Sequence, residues 1–389
     1  MDYILYNGKI ILKNRIQDSG YVTVDGSRIE GVYEGNPDID TLRKCANVID
    51  VKGKYISPGF IDIHVHGGGG KTFAIGGEES FIIPCRTHAI HGTTSIYPSI
   101  SSSTAEIMEN AIRCFRKAKG HNDKGSYMRG LHFEGPYFSP NQKGAQQECY
   151  LRDPVKEEYL GILDMTEDIK RWSCACELPG MEEFAACLKD RGIKASIGHC
   201  DATYDEVVKA HAWGFDLITH LYSCCSTIKR EKGYRIPGVI ESAYLIDDMD
   251  VEIICDGHHL PDSLIQFAYK FKGSDRTAII SDALCYAGMD VPNGTAVRED
   301  IIIEDGVAKL TDRSAFGGSI AIFDKLVRVA LKAGISLVEC VKMSSYTPAR
   351  IMGIENVTGS LEKGKDADII VFDGSINIDT VIIQGNRIL

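Results

Sequence analysis

No run in this 389-residue chain approaches ~20 uninterrupted apolar residues, so no segment reads as a membrane span. The opening Met1-Asp-Tyr-Ile-Leu-Tyr has neither a basic segment nor a long apolar one, which argues against a secretory signal and sets the expectation of a soluble, cytoplasmic protein. Positive charge is in short supply. With 43 Lys and Arg against 54 Asp and Glu, the formal net charge is −11, which disfavours nucleic acid or an anionic membrane as the main partner. The 13 cysteines are odd in number and lack framework spacing, so they read as reduced thiols. Cys174-Ala-Cys176 and Cys224-Cys225 are too close-set for a zinc ribbon. What remains is an ordinary globular composition, 44% hydrophobic and 25% charged, long enough for one large domain and a small accessory one.

Residues 1–56 alternate short β-like runs with turn signals such as Asn7-Gly8 and Asp25-Gly26. The chain ends in the same way, with Ala367–Phe372, Asp373-Gly374, Thr380–Ile383 and Gln384-Gly385. Both termini, 1–56 and 355–389, are therefore expected to build one small β-sandwich domain. Between them, residues 57–354 alternate strand-like and helical runs. The strand candidates are Gly59–His66, Thr93–Pro98, Tyr127–Glu134, Arg171–Glu177, Lys194–His199, Phe215–His220, Val251–Asp256 and Arg276–Asp282. Amphipathic helices are expected over Thr104–Gly120, Met181–Asp190, Tyr204–Trp213 and Pro261–Phe271, and an apolar stripe from Ile320 to Leu331 follows the eighth strand. This alternation fits a (β/α)8 barrel, whose chemistry sits at the C-terminal ends of its strands. An open doubly wound sheet is the alternative, but no Gly-x-Gly-x-x-Gly opens a helix after the first strand.

The strand-end rule gathers scattered polar residues into one constellation. His64 and His66, one residue apart in Pro58-Gly-Phe-Ile-Asp-Ile-His-Val-His66, project from the same face of a strand. Glu134 ends strand three, His199 strand five, His220 strand six and Asp282 strand eight. Six metal-competent side chains therefore converge on one mouth, and their imidazole and carboxylate chemistry suits Zn²⁺ or Fe²⁺. His132 shares strand parity with Glu134 and is placed behind the ligands. In Asp256-Gly-His258-His259, one histidine is expected to face the mouth and donate to a substrate carbonyl. His88 and His91, three apart on a predicted helix, read as packing or surface residues, and His121 and His211 carry no signal.

These motifs, with Leu131-His-Phe-Glu-Gly-Pro136, Ile197-Gly-His199, Thr219-His-Leu221, Ser281-Asp-Ala283 and the terminal Gly359–Asp368 segment, resemble the amidohydrolase superfamily and within it the N-acetylglucosamine-6-phosphate deacetylases. The resemblance implies a divalent metal, one or two ions per subunit, with Glu134 as the principal carboxylate facing His199 and His220. His64 and His66 match the extra ligands of two-metal members. It further implies an acid/base at Asp282, a carbonyl-polarising histidine at His259, and a homodimer. A branch using a carbamylated lysine is disfavoured, because strand four runs out into Cys174-Ala-Cys-Glu-Leu-Pro-Gly180 without one.

Amide hydrolysis needs a strong nucleophile and a proton for the leaving nitrogen. A metal lowers the pKa of its water to ~7 and so supplies hydroxide, and Asp282 is expected to take and return the proton. The substrate is expected to be a phosphorylated N-acyl amino sugar. Ser226–Ile236 carries four basic residues and one acidic, and its Arg235-Ile-Pro-Gly238 resembles the family's phosphate arginine. Three substrate-contacting motifs depart from the family pattern: Gly144-Ala145-Gln146 ends in Gln rather than His, Ser223-Cys224 replaces Asn-Ala, and Phe316-Gly317-Gly318-Ser319 replaces Leu-Ala-Gly-Ser. They leave a different N-acyl sugar, or an N-acyl-D-amino acid, as alternative substrates. A catalytically silent scaffold is disfavoured because the ligand and acid/base positions are intact.

Overall fold

The computed structural model describes residues 1–389. Eight parallel strands form a nearly closed barrel: Phe60–Val65, Thr93–Ser101, Leu131–Glu134, Ile169–Cys174, Lys194–Ile197, Leu217–Ile218, Asp250–Ile254 and Thr277–Ile280. They are called here strands one to eight. Neighbouring strands pair in parallel from strand one through strand eight. The ring closes at its upper rim, where the Asp282 amide donates to the His64 carbonyl (2.9 Å) and the His66 amide to the Ala283 carbonyl (2.8 Å). The open sheet is thereby set aside.

The helices follow the apolar spacing closely. Met181–Asp190 and Tyr204–Trp213 have the expected bounds. Ala105–Lys119 begins one residue inside its expectation because Thr104 is its N-cap, accepting from the Ile107 amide (3.3 Å). The stripe after strand eight becomes helix Phe323–Lys332, which buries Phe323, Leu326, Val327 and Ala330. Strand bounds differ more. The expected strands five to eight overrun by about two residues because the chain leaves the sheet at the polar residues themselves, and Tyr127–Glu134 is interrupted at Arg129-Gly130.

Alternation along strand four separates two environments. Trp172 and Cys174 point outward into a 69-residue core shared with the helices. Arg171 points inward and is fully buried, and its guanidinium pairs with the equally buried Glu252 of strand seven. Arg171 also donates to the Ile63 carbonyl (3.1 Å) and to Thr219 Oγ1 (2.9 Å). Burial opposes ionisation of Glu252, but Arg171 and His64 hold its carboxyl down to about 2. Removing one partner leaves an unpaired charge inside the barrel, so Arg171→Ala is expected to lower stability by about 3–5 kcal/mol in urea unfolding. An unchanged unfolding midpoint would contradict this reading of the barrel interior.

The termini form one eight-stranded mixed sheet with its own core of 12 buried residues, including Leu5, Ile10, Val22, Ile56, Ile369 and Ile382. Arg129 ties this sheet to the barrel through Asp366 (2.7 Å) and Asp368 (2.9 Å). One element has no counterpart in the sequence-based expectation. Ala296–Arg298, Ile301–Glu304, Val307–Leu310 and Phe316–Gly318 make a four-stranded antiparallel sheet between strand eight and the helix that follows it. No helix is long and apolar enough to cross a membrane.

Candidate active site

The strand ends bring the six expected ligands together. His64 Nε2 and His66 Nε2 lie 3.1 Å apart. Glu134 Oε1 sits 3.4 Å from His64 Nε2, 3.3 Å from His199 Nε2 and 3.1 Å from His220 Nε2. Its Oε2 is 3.4 Å from His66 Nε2, and Asp282 Oδ1 is 3.2 Å from the same nitrogen. Glu134 is thus shared by two donor groups, His64–His66–Glu134 and Glu134–His199–His220. All six residues are buried or nearly so.

Backbone geometry turns several of these side chains into the mouth. His199, His220 and Asp282 directly follow or closely follow their strands with φ of 47°, 30° and 46°. Such left-handed conformations cost of order 1–3 kcal/mol in non-glycine residues and collect where function requires them. Each break ends the strand and redirects the side chain.

The donor set fits a divalent cation on two observations. First, the outer nitrogens are engaged. His199 Nδ1–H donates to the Gln142 carbonyl (2.9 Å), His220 Nδ1–H to the Ser223 carbonyl (3.1 Å), and His66 Nδ1 contacts Ser101 Oγ (3.0 Å) and the Ser99 carbonyl (3.2 Å). This fixes the tautomer that leaves the Nε2 lone pair facing inward. Second, the carboxylates around His64 favour positive charge there. Burial opposes protonation of His64, yet Glu134, Glu252 and Asp282 hold its pKa up to about 10. Burial likewise opposes ionisation of Glu134, but His64 and the hydrogen bonds of His199 and His220 hold its carboxyl well below the usual range. A proton is only the smallest cation such a cluster accepts.

A cavity of about 530 Å³ opens above this floor, within the range typical of small-molecule sites. Ala145, Gln146, Ser223, Cys224, Phe316, Gly317 and Gly318, singled out as substrate contacts, all line it. Of the histidine pair, it is His259 that faces the cavity. Its Nδ1–H donates to Asp256 Oδ2 (2.8 Å), and its ring packs on Phe316 with centroids 4.9 Å apart. His132 lies edge-on to His64 (4.7 Å) and is held by Ser99 Oγ (2.8 Å) and Ser173 Oγ (2.7 Å). His88 is a packing residue bonded to the Gly67 carbonyl (2.9 Å), whereas His91 lies beyond the helix end and faces Asp324 (3.5 Å).

Arg235 is the exception. It lies on the hairpin Lys229–Glu231/Tyr234–Ile236, its Nη1 donates to the Gly233 carbonyl (3.0 Å), and it does not line the cavity of its own chain. The two-residue turn of this hairpin lifts the basic run away from the mouth, so a +3 excess in sequence does not become a cationic wall. Lys229 is likewise engaged elsewhere, with Asp201 (2.6 Å).

Over nearly its whole length the chain matches known proteins. The model of the Amidohydrolase family matches residues 55–388. The chain belongs to the amidohydrolase family. Among its relatives, an N-acetylglucosamine-6-phosphate deacetylase of Lysinibacillus sphaericus is 30% identical, with 87% of this chain and 86% of that protein covered. One of the same name from Haemophilus influenzae is 29% identical over 99% of each chain. The crystal structure of N-acetylglucosamine-6-phosphate deacetylase from Pasteurella multocida matches with a TM-score of 0.90 at 29% identity, covering 99% of both chains.

Several cavity residues of this amidohydrolase were not singled out from sequence. Ser102 and Ser103, just past the end of strand two, line the cavity, and each has a buried hydroxyl with no protein partner. Their signal was the Ser101-Ser-Ser-Thr104 run just before a helix N-cap. Gln146, singled out only as a substrate contact, also holds a ligand: its amide donates to Glu134 Oε2 (2.8 Å) while its Oε1 accepts from the Ser102 amide (3.2 Å). Gln146→Ala is therefore expected to weaken divalent-metal affinity about 10–100-fold in a competitive chelator titration. Unchanged affinity would reduce Gln146 to a cavity wall.

Proposed function

We propose that this amidohydrolase removes the acetyl group of N-acetylglucosamine 6-phosphate, releasing glucosamine 6-phosphate and acetate. The observation that carries the reading is Glu134 shared between two imidazole pairs, with Asp282 beside them, at the floor of a cavity of sugar-phosphate size. The relatives named above support the substrate. His64, His66, Glu134, His199, His220 and Asp282 would hold one or two divalent ions, Zn²⁺ or Fe²⁺ by donor chemistry. When bound, such an ion supplies Lewis acidity, polarising the amide carbonyl and lowering the pKa of water toward ~7.

The chain's own residues do the rest. Asp282 is the acid/base: its carboxylate accepts the proton of the attacking water and delivers it to the amide nitrogen as the C–N bond breaks. Its position suits both transfers, since Oδ1 is oriented by His66 and the backbone amide is pinned to the His64 carbonyl (2.9 Å). His259, its Nδ1 held by Asp256, turns its ring toward the carbonyl oxygen on which negative charge develops. Ala145, Gln146, Ser223, Cys224 and Phe316-Gly317-Gly318 shape the sugar site.

The reading includes a cytoplasmic homodimer. Its support is an exposed apolar patch of Leu245, Phe267 and Phe271 around Tyr244. The test is acetate release from N-acetylglucosamine 6-phosphate, N-acetylglucosamine and N-acyl-D-amino acids. Preference for the phosphorylated sugar is expected. Preference for an N-acyl-D-amino acid would overturn the substrate while leaving the reaction class.

A further inference from the structure

The inserted sheet over residues 296–318 carries a residue that the proposed function does not use. Arg298 is the only lysine or arginine lining the cavity. In a chain of net charge −11, an anionic substrate meets an opposing field, so a cation inside the mouth has a specific task.

We propose that Arg298 anchors the phosphate of the substrate from within the same subunit. The inference rests on the reading above and adds the residue that selects the phosphorylated sugar. The guanidinium is already oriented. Its Nε and Nη2 donate to Asp300 (2.5 and 2.9 Å), and Nη2 also donates to the Ala145 carbonyl (2.8 Å). Nη1 makes no hydrogen bond to the protein, so its two N–H groups are left for a ligand. A planar guanidinium held in this way, with the two N–H groups of Nη1 free, suits the oxygens of a phosphate better than a mobile ammonium does. Its neighbours strengthen the assignment. The bond to Ala145 places Arg298 beside Gln146, and Phe316, from the last strand of the same sheet, packs on His259. The inserted sheet therefore contributes both to the oxyanion side of the mouth, through Phe316 against His259, and to its only lining arginine. The basic loop offers no competing group from this chain, because none of Lys229, Arg230, Lys232 and Arg235 lines the cavity.

Arg298→Ala is expected to lower kcat/KM for N-acetylglucosamine 6-phosphate by about 10–100-fold, most of it in KM, as loss of a charge-assisted hydrogen bond predicts. For unphosphorylated N-acetylglucosamine the change should stay under about threefold. Arg298→Lys, which keeps charge but not the fixed, planar guanidinium, should fall between, and it serves if the alanine variant folds poorly. A parallel calorimetric arm measures binding of glucosamine 6-phosphate and glucosamine to the wild type and both variants. If wild type prefers the phosphorylated ligand and Arg298→Ala erases the preference, the anchor is supported whether or not acetate is released. If the preference survives in the variant, or wild type has none, the anchor is overturned. Failure of the wild type to release acetate from any sugar sinks the proposed function instead, a separate readout from the binding arm.

Discussion

Asp282→Asn should lower kcat by about 10²–10⁴-fold while the protein keeps its metal and its fold. The substitution is nearly isosteric, so Oδ1 remains beside His66 (3.2 Å) and His64 (3.6 Å), and the backbone bonds to His64 and Ser319 are untouched. What is lost is the capacity to accept a proton. Five of the six donors also remain, which separates this variant from one that empties the site. Burial opposes ionisation of Asp282, but the His66 hydrogen bond and the charges of His64 and His66 hold its carboxyl below the usual range, so it starts the reaction as a base. Steady-state acetate release with metal content measured on the same sample checks the prediction. Near-wild-type kcat would remove the acid/base role.

Glu134→Ala has the largest expected effect on the cation itself. Glu134 belongs to both donor groups, so its loss breaks both at once. Metal affinity should fall well beyond the roughly 10–100-fold typical of losing a supporting partner, and turnover should fall with it. The variant also removes the counter-charge that favours protonated His64, which adds an effect on folding. Chelator-competition titration and urea unfolding read the two losses separately. A variant that still binds metal with wild-type affinity would show that Glu134 is not a ligand.

Much of this arrangement was legible because the barrel converts a one-dimensional rule into a three-dimensional one. Six polar residues at the ends of five expected strands share one mouth, and their spacing within each motif states which face they take. Gln146 and Phe316-Gly317-Gly318 were legible as cavity residues through resemblance alone, and Gln146 proved to touch Glu134 as well. Loop trajectories were not legible. A run of basic residues near His220 has no periodicity that says which way its hairpin turns, and Arg235 lies outside the cavity for that reason. Arg298 was invisible because its sheet, with strands of three or four residues and turns such as Asp305-Gly306, lies in a segment between strand eight and the next helix that was not assigned strands. The lone Ser102 and Ser103 hydroxyls matter only once burial is known, since a serine run before a helix is ordinarily just a cap.

The central claim is that the six converging side chains hold a divalent ion needed for amide hydrolysis. Its most direct test is one titration of purified protein, stripped with a chelator and reloaded with Zn²⁺ or Fe²⁺, in which bound metal per subunit and acetate release from N-acetylglucosamine 6-phosphate are read together. Activity should disappear with the metal and return as one or two equivalents bind. Undiminished acetate release from protein measured to be metal-free would contradict the account.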